Sequence, residues 1–303
     1  MKALKLLSFL ITLFILLISF FGCSPRKEDK IILTIWHWMT DRQSAFEELA
    51  RRYEENTGIK INFELYAPSD AYSQKVRSAC QGRSLPDIFG ILGEKSDFAR
   101  FVKAGHILNL TPYMEEDNCS WKNKFFAEAL AVNEFSYTNK YGIKPGIYAV
   151  PIDITTILML YNKDLFKKIG LDPDNPPQTF EEWLSLGKVI REKNLQGLVS
   201  GWSELWLINC FAYAYAFNIM GEEKVFSTIR GEVPYTDSDW IKVFTLFKEI
   251  KEAGMLASGI ITMINKTAEQ VFANEKAVFA FNGSWCVNVY KGMNPDLNYG
   301  VML

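Results

Sequence analysis

One continuous run, YAVPIDITTILMLYNKDLFKKIGLD from Tyr148 to Asp172, constrains this chain more than any other stretch. Ile, Val, Thr and Tyr crowd Tyr148 to Tyr161, which favours extended backbone. The run reads as a strand ending on Pro151, a second apolar strand, and a short helix starting after Asn162. Leu165, Phe166 and Ile169 follow at helical spacing, and Gly170 closes the turn. It divides 303 residues, too many for one small core, into halves that each alternate strands and helices.

In the first half, Ile31 to Trp38 is almost uninterruptedly apolar, the pattern of a strand buried on both faces. Asp41 precedes a helix through Phe46, Leu49, Ala50 and Tyr53 that Thr57-Gly58 ends. Lys60 to Tyr66 alternates polar and apolar residues as a half-buried strand does. A helix over Asp70–Gln81 and a strand over Leu85–Ile91 complete a β-α-β-α-β order, which implies a parallel sheet with helices on both faces. Further helices are expected over Ser96–Ala104 and Trp121–Val132, and Tyr72 has the position of a core residue.

In the second half, Thr179 caps a helix whose first turn carries Glu181 and Glu182. Leu198–Gly201 reads as a short strand, and an aromatic-rich helix from Glu204 ends at Gly221. Trp240 to Ala253 is patterned to face Ile241, Phe244, Phe247 and Ile250 inward. Ala277–Phe281 reads as a strand, Asn282-Gly283 as a turn, and Trp285–Tyr290 as a short helix.

The chain begins with Lys2 and Lys5, an apolar run from Leu6 to Phe21, and Gly22-Cys23: the order of a secretory signal over residues 1–22. Phe20-Phe21-Gly22-Cys23 resembles a lipobox, with Phe20 where leucine is usual, which makes Cys23 the lipidated N-terminus and residues 23–30 a polar tether. Of 33 Lys and Arg and 35 Asp and Glu, loss of Lys2 and Lys5 with the signal leaves 31 against 35. That mild acidity argues against a nucleic-acid partner. Cys80, Cys119, Cys210 and Cys286 are scattered, with no zinc spacing and no pairing that spacing can assign; Cys210 and Cys286 read as small buried hydrophobes. The two histidines, His37 and His106, stand in no metal motif, and neither a nucleophile elbow nor a P-loop is present. No catalytic residues, metal or cofactor are assigned, and a glycosidase is disfavoured.

The central run, followed by PPQTFEEW and later by KAVFAFNGSW, resembles the crossover of the extracellular solute-binding proteins of ABC importers, in the sugar-binding family of the maltose binder. TIWHW, RRYEENTGIKINF, PDIFGI and FVKAGHILNLTPYMEE extend the resemblance over the first half. It implies an α/β fold of the two-lobed, periplasmic-binding-protein type II, each lobe a mostly parallel sheet flanked by helices, with a ligand cleft between. Lobe 1 would span 31–150 and lobe 2 151–298, with 299–303 starting the return crossover. The family's chain continues beyond that point, so a C-terminal truncation that leaves lobe 1 without its last elements is expected.

Sugar sites pair stacked aromatics with charged or amide hydrogen-bonding groups. Trp38 and Asp41 follow the first strand, at the edge where open parallel sheets bind ligands. By resemblance, Trp285 of FNGSW matches a sugar-stacking tryptophan, with Ser284 replacing proline. Glu204 and Trp206 lie where the family places an acid followed by aromatics. Asp153 and Thr155 follow the hinge proline, Thr155 replacing a ligand-binding acid, which argues against maltose itself. Glu94 follows PDIFGI. The implied function is a monomeric lipoprotein, facing the periplasm or cell exterior, that captures a mono- or oligosaccharide and delivers it to an ABC permease. Alternatives are a non-sugar solute such as a polyamine or iron complex, or a ligand-sensing lipoprotein.

Overall fold

In the computed structural model, which describes residues 31–302, the chain builds three sheets. The strands β1 (Ile32–His37), β2 (Lys60–Leu65) and β3 (Ile88–Phe89) lie parallel in the order β2–β1–β3, with Ile32 opposite Lys60 and Ile35 opposite Ile88. Helix α1 (Gln43–Thr57) links β1 to β2, and α2 (Ser69–Gly82) links β2 to β3, as parallel pairing requires. Gly58, at φ 74°, ends α1 in the left-handed region that suits glycine. The helices cover opposite faces. Phe46 of α1 stacks on Phe63 at 4.9 Å, whereas Tyr72 of α2 is buried against Trp38 and donates to the carbonyls of Trp36 and Gly90.

Burial of β1 on both faces is not what is found. Ile31 and Ile32 are 60% and 55% exposed, because the covering contacts gather at Trp36, His37 and Trp38 towards the strand's far end. The expected strand Leu85–Ile91 shortens to the two residues of β3. Helix α3 (Lys95–Lys103) forms as expected, but the helix expected over Trp121–Val132 is broken. A 3-10 turn at Lys122–Lys124 and a helix at Ala127–Val132 flank Phe125 and Phe126 in extended backbone. β4 (Glu134–Phe135) and β5 (Gly146–Ile147) then pair antiparallel. The ladder stops at Ile147, so Tyr148–Pro151 is not strand; Pro151 has no N–H to give a ladder.

The third sheet comprises β6 (Ile157–Asn162), β7 (Gln196–Val199), β8 (Ala277–Gly283) and β9 (Tyr299–Met302), ordered β7–β8–β6–β9. Here the expectation of mostly parallel pairing is corrected. β7 and β8 are parallel, but β6 runs against both β8 and β9. β8 and β9 share a direction, and β6 between them runs the opposite way. β8 takes in Asn282 and Gly283, so the expected turn there is strand.

This sheet is buried on both faces. Tyr161, Leu198 and Phe279 join one cluster with Trp183 and Phe211; Leu160, Val199 and Ala280 join another with Phe272 and Tyr290. The period-2 alternation of neighbouring residues between the clusters is that of a central sheet. The Asn162 side chain caps α4 (Lys163–Lys168), accepting from the N–H groups of Asp164 and Leu165 at 2.9 and 2.8 Å. Thr179 caps α5 (Phe180–Glu192) through the Glu182 N–H at 3.1 Å.

Helix α6 (Leu205–Arg230) is two helices meeting at Gly221, whose φ of 78° and ψ of 166° break the ladder. The second of them, beyond the expected end, buries Val225 and Thr228 against α7 (Ser238–Glu252). On α7 the buried face is Trp240, Val243 and Ile250; Ile241 and Phe244, expected to face inward, are about half exposed. Trp240 decides this rotation, filling the space beside Ala216 and donating its indole N–H to Thr228 at 2.8 Å. Helices α8 (Asn265–Ala273) and α9 (Cys286–Met293) flank β8. All four cysteines among the described residues are free, Cys286 buried and Cys210 packed at the edge of a cluster.

Candidate functional site

Two groups of the expected residues are brought together. The first surrounds Glu204, which precedes α6 and whose carboxylate is only 5% exposed. One oxygen accepts from the backbone N–H of Asn265, at the start of α8, at 2.8 Å. A carboxylate at a helix start is favoured by the unpaired N–H groups and the helix dipole there. Gly201 permits this approach, since a Cβ on it would lie 2.4 Å from the Asn265 backbone. The other oxygen accepts from the Trp206 indole N–H at 3.1 Å and from the Ser69 hydroxyl at 3.0 Å. Ser69 starts α2, so this bond joins an element of the first sheet to one of the last.

Trp285 stands at the end of β8 as the residue before α9. Its ring folds back over Gly283, where a Cβ would sit 1.8 Å away, so FNGSW needs glycine two residues before the tryptophan. There it meets Trp206, ring centres 5.6 Å apart and planes at 53°. Beneath lies Glu269, on the buried face of α8, accepting from the side-chain amides of Asn265 and Asn282 at 3.0 and 3.1 Å. Two indoles, two carboxylates and two amides thus share one place.

Burial holds the Glu269 carboxyl above its ordinary 4.5 and the neighbouring Glu204 adds to this, against the pull of donors Asn282, Trp285 and Asn265. The native state then keeps this proton to higher pH than the unfolded chain. The resulting stability is complete below 4.5 and is lost as pH rises through the native value. Glu269→Gln has no proton to lose. Chemical denaturation should show its stability relative to the parent rising as pH climbs from below 4.5 through the native value; an unchanged difference contradicts this.

The second group is Asp41, Arg42 and Asp153. Arg42 donates to Asp41 at 3.3 Å and pairs with Asp153 of the crossover. The Arg42 and Asp153 side chains are 24% and 35% exposed, so solvent weakens their attraction. Arg42→Ala should change unfolding stability by less than about 1 kcal/mol; a loss above about 2 kcal/mol would show a structural pin instead.

The remaining expected residues stand apart from both groups. Trp38 lies across β3, where a Cβ on Gly90 would meet its ring at 2.5 Å, and packs on Tyr72. Thr155 is exposed beside the Thr156–Ser284 hydrogen bonds. Glu94 is exposed at the start of α3, its charge felt by Tyr213 of α6. Sequence reasoning missed Arg42, Ser69, Asn265 and Glu269. Glu269 alone gave a signal, as an acid on the face shared by Ala268, Phe272 and Ala273.

The family model of bacterial extracellular solute-binding proteins matches residues 36–301. The chain belongs to this family. Among relatives of this solute-binding protein, the multiple sugar-binding protein of Streptococcus mutans is 24% identical over 284 residues, 91% of this chain and 63% of that one. The arabinooligosaccharide-binding protein of Bacillus subtilis is 25% identical over 193 residues, 61% of this chain and 41% of its own. The chain thus spans less than two thirds of these relatives' length.

Solved structures share the fold. One from work on xylan utilization by Caldanaerobius polysaccharolyticus superposes with a TM-score of 0.76 at 21% identity, covering 89% of this chain and 67% of that one. RafE in complex with raffinose gives 0.67 at 19% identity, covering 90% and 67%. The type II solute-binding fold is therefore the fold of this protein. The family is one of binding proteins rather than enzymes.

Proposed function

We propose that this protein captures a mono- or oligosaccharide between two lobes, 31–150 and 151–298, and delivers it to an ABC permease. The meeting of Trp206 and Trp285 over the Glu204 carboxylate carries this reading. Indole faces match the apolar C–H faces of sugars, and the carboxylates and amides match their hydroxyls. The Ser69–Glu204 and Arg42–Asp153 contacts give the two halves points at which closure is sensed. Ligand contacts made in only one of two arrangements shift the population towards it. The relatives' names, multiple sugar-binding and arabinooligosaccharide-binding, support a carbohydrate. Asp41 and Asp153 add acceptors from the second group, whereas Trp38, Thr155 and Glu94 stand apart from both groups and are given no ligand contact.

In this reading residues 1–22 are a signal peptide and Cys23 carries lipid. Both lie outside the described residues, among which no helix is long and apolar enough to cross a membrane. The protein acts as an anchored monomer at the periplasmic or outer face. Small-angle scattering with and without saccharide tests the clamp: binding should reduce the radius of gyration, and binding without any change argues for a rigid site. Labelled palmitate incorporated by the parent and lost in Cys23→Ala tests the anchor; equal incorporation sinks it.

A further inference from the structure

Resting on the carbohydrate reading, the inference concerns which saccharides the Trp206–Trp285 site admits. Glu204 and Glu269 are 5% and 7% exposed, and the groups that satisfy them are neutral. Glu204 accepts from a hydroxyl, an indole and a backbone N–H; Glu269 accepts from two side-chain amides. Among the described residues no lysine or arginine forms an ion pair with either. Arg42, the cation of the second group, is engaged by Asp41 and Asp153. The one charge that acts appreciably on Glu269 is another carboxylate, Glu204.

A third acceptor points the same way. The Asn265 amide is oriented by donating its N–H to Glu269, which leaves its carbonyl oxygen buried without a donor. Neutral donors satisfy the lone pairs they touch but leave the charge in place. A buried acceptor without a partner is costly until a ligand supplies one. Because both carboxylates are buried, charges act on them at reduced screening.

We propose that the site selects saccharides by charge, favouring amine-bearing over neutral forms and rejecting those that carry a carboxylate. An ammonium offers three donors and the opposite charge. A uronate adds a further negative group beside Glu204, and beside Glu269 once pH exceeds its raised native value, with no cation to receive it, and desolvating it there is unfavourable. Hydroxyls satisfy the acceptors without either effect.

The test is calorimetric titration of the full chain with glucose, glucosamine and glucuronate, their galactose counterparts, and the 1,4-linked trimers of each, plus spermidine. The expected order is amine over neutral over uronate, with uronates at least roughly tenfold weaker than their neutral counterparts. In Glu269→Gln the gap between neutral and uronate should narrow; should that variant fail to fold, Glu204→Gln reads the same gap. Uronates that bind as tightly as neutral sugars overturn the selectivity and leave the carbohydrate site standing. Binding of spermidine with no saccharide sinks the carbohydrate reading and keeps the preference for positive charge. No binding by any probe removes both.

Discussion

Trp285→Ala is expected to weaken saccharide binding by about 100-fold, with the third sheet still folded. The indole is held by its own neighbourhood: Gly283 leaves room beneath it, β8 precedes it, and Trp206 meets it at 5.6 Å. A sugar stacked there gains contact with a rigid aromatic face that has little freedom left to lose. Buried aromatic anchors of this kind carry about 2–4 kcal/mol when truncated, and about 2.7 kcal/mol corresponds to 100-fold. Trp285→Phe keeps a stacking face and should recover part of the loss. Because Trp285 also borders the cluster of Leu160 and Tyr290, calorimetric affinity should be read beside a urea transition. An affinity within threefold of the parent, in a folded variant, would remove Trp285 from the site.

The second large effect falls on stability. Phe279→Ala should lower the unfolding free energy by about 3–5 kcal/mol, as large-to-small changes at fully buried aromatics do. Phe279 lies on β8, inside the sheet β7–β8–β6–β9, with no exposed surface. It meets the rings of Phe166 at 5.6 Å and Trp183 at 5.9 Å, so its loss opens a cavity where strand and two helices converge. The surrounding β8 residues are all buried and cannot collapse into the gap without moving the strand. Urea unfolding followed by tryptophan fluorescence measures it. A loss under about 1 kcal/mol would mean that this sheet is not the chain's main core.

Local signals in the sequence were sufficient wherever one residue decides a boundary. Gly58 at φ 74° and the caps at Asn162 and Thr179 all appear where their chemistry puts them, and the alternation of the Lys60 strand holds as far as Phe63 before Leu65 turns up exposed. The breaks came where packing decides. Ile241 and Phe244 carry the right period for a buried face, yet in the first turns of α7 the larger Trp240, with Val243, takes the buried positions, while Phe247 and Ile250 face the core as expected. The direction of β6 could not be read because pairing partners far along the chain, Phe281 and Met302, set it. The site follows the same division. Trp285 and Glu204 are reached through resemblance, FNGSW for the first and an acid followed by aromatics for the second. Ser69 is not legible, since its partner is 135 residues away. Asn265 is equally hidden: its role depends on the close approach at Gly201, which only the folded chain creates.

Melting temperature against a solute panel tests most directly whether a saccharide is the ligand. The purified chain would be heated alone and with neutral mono- and oligosaccharides, uronates, polyamines and ferric iron. A ligand that binds only the folded state adds about 2.7 kcal/mol at 100 times its dissociation constant, enough to move the transition visibly. We expect a rise with at least one saccharide that disappears in Trp285→Ala. A rise confined to iron, or no rise with any saccharide, would contradict the carbohydrate assignment.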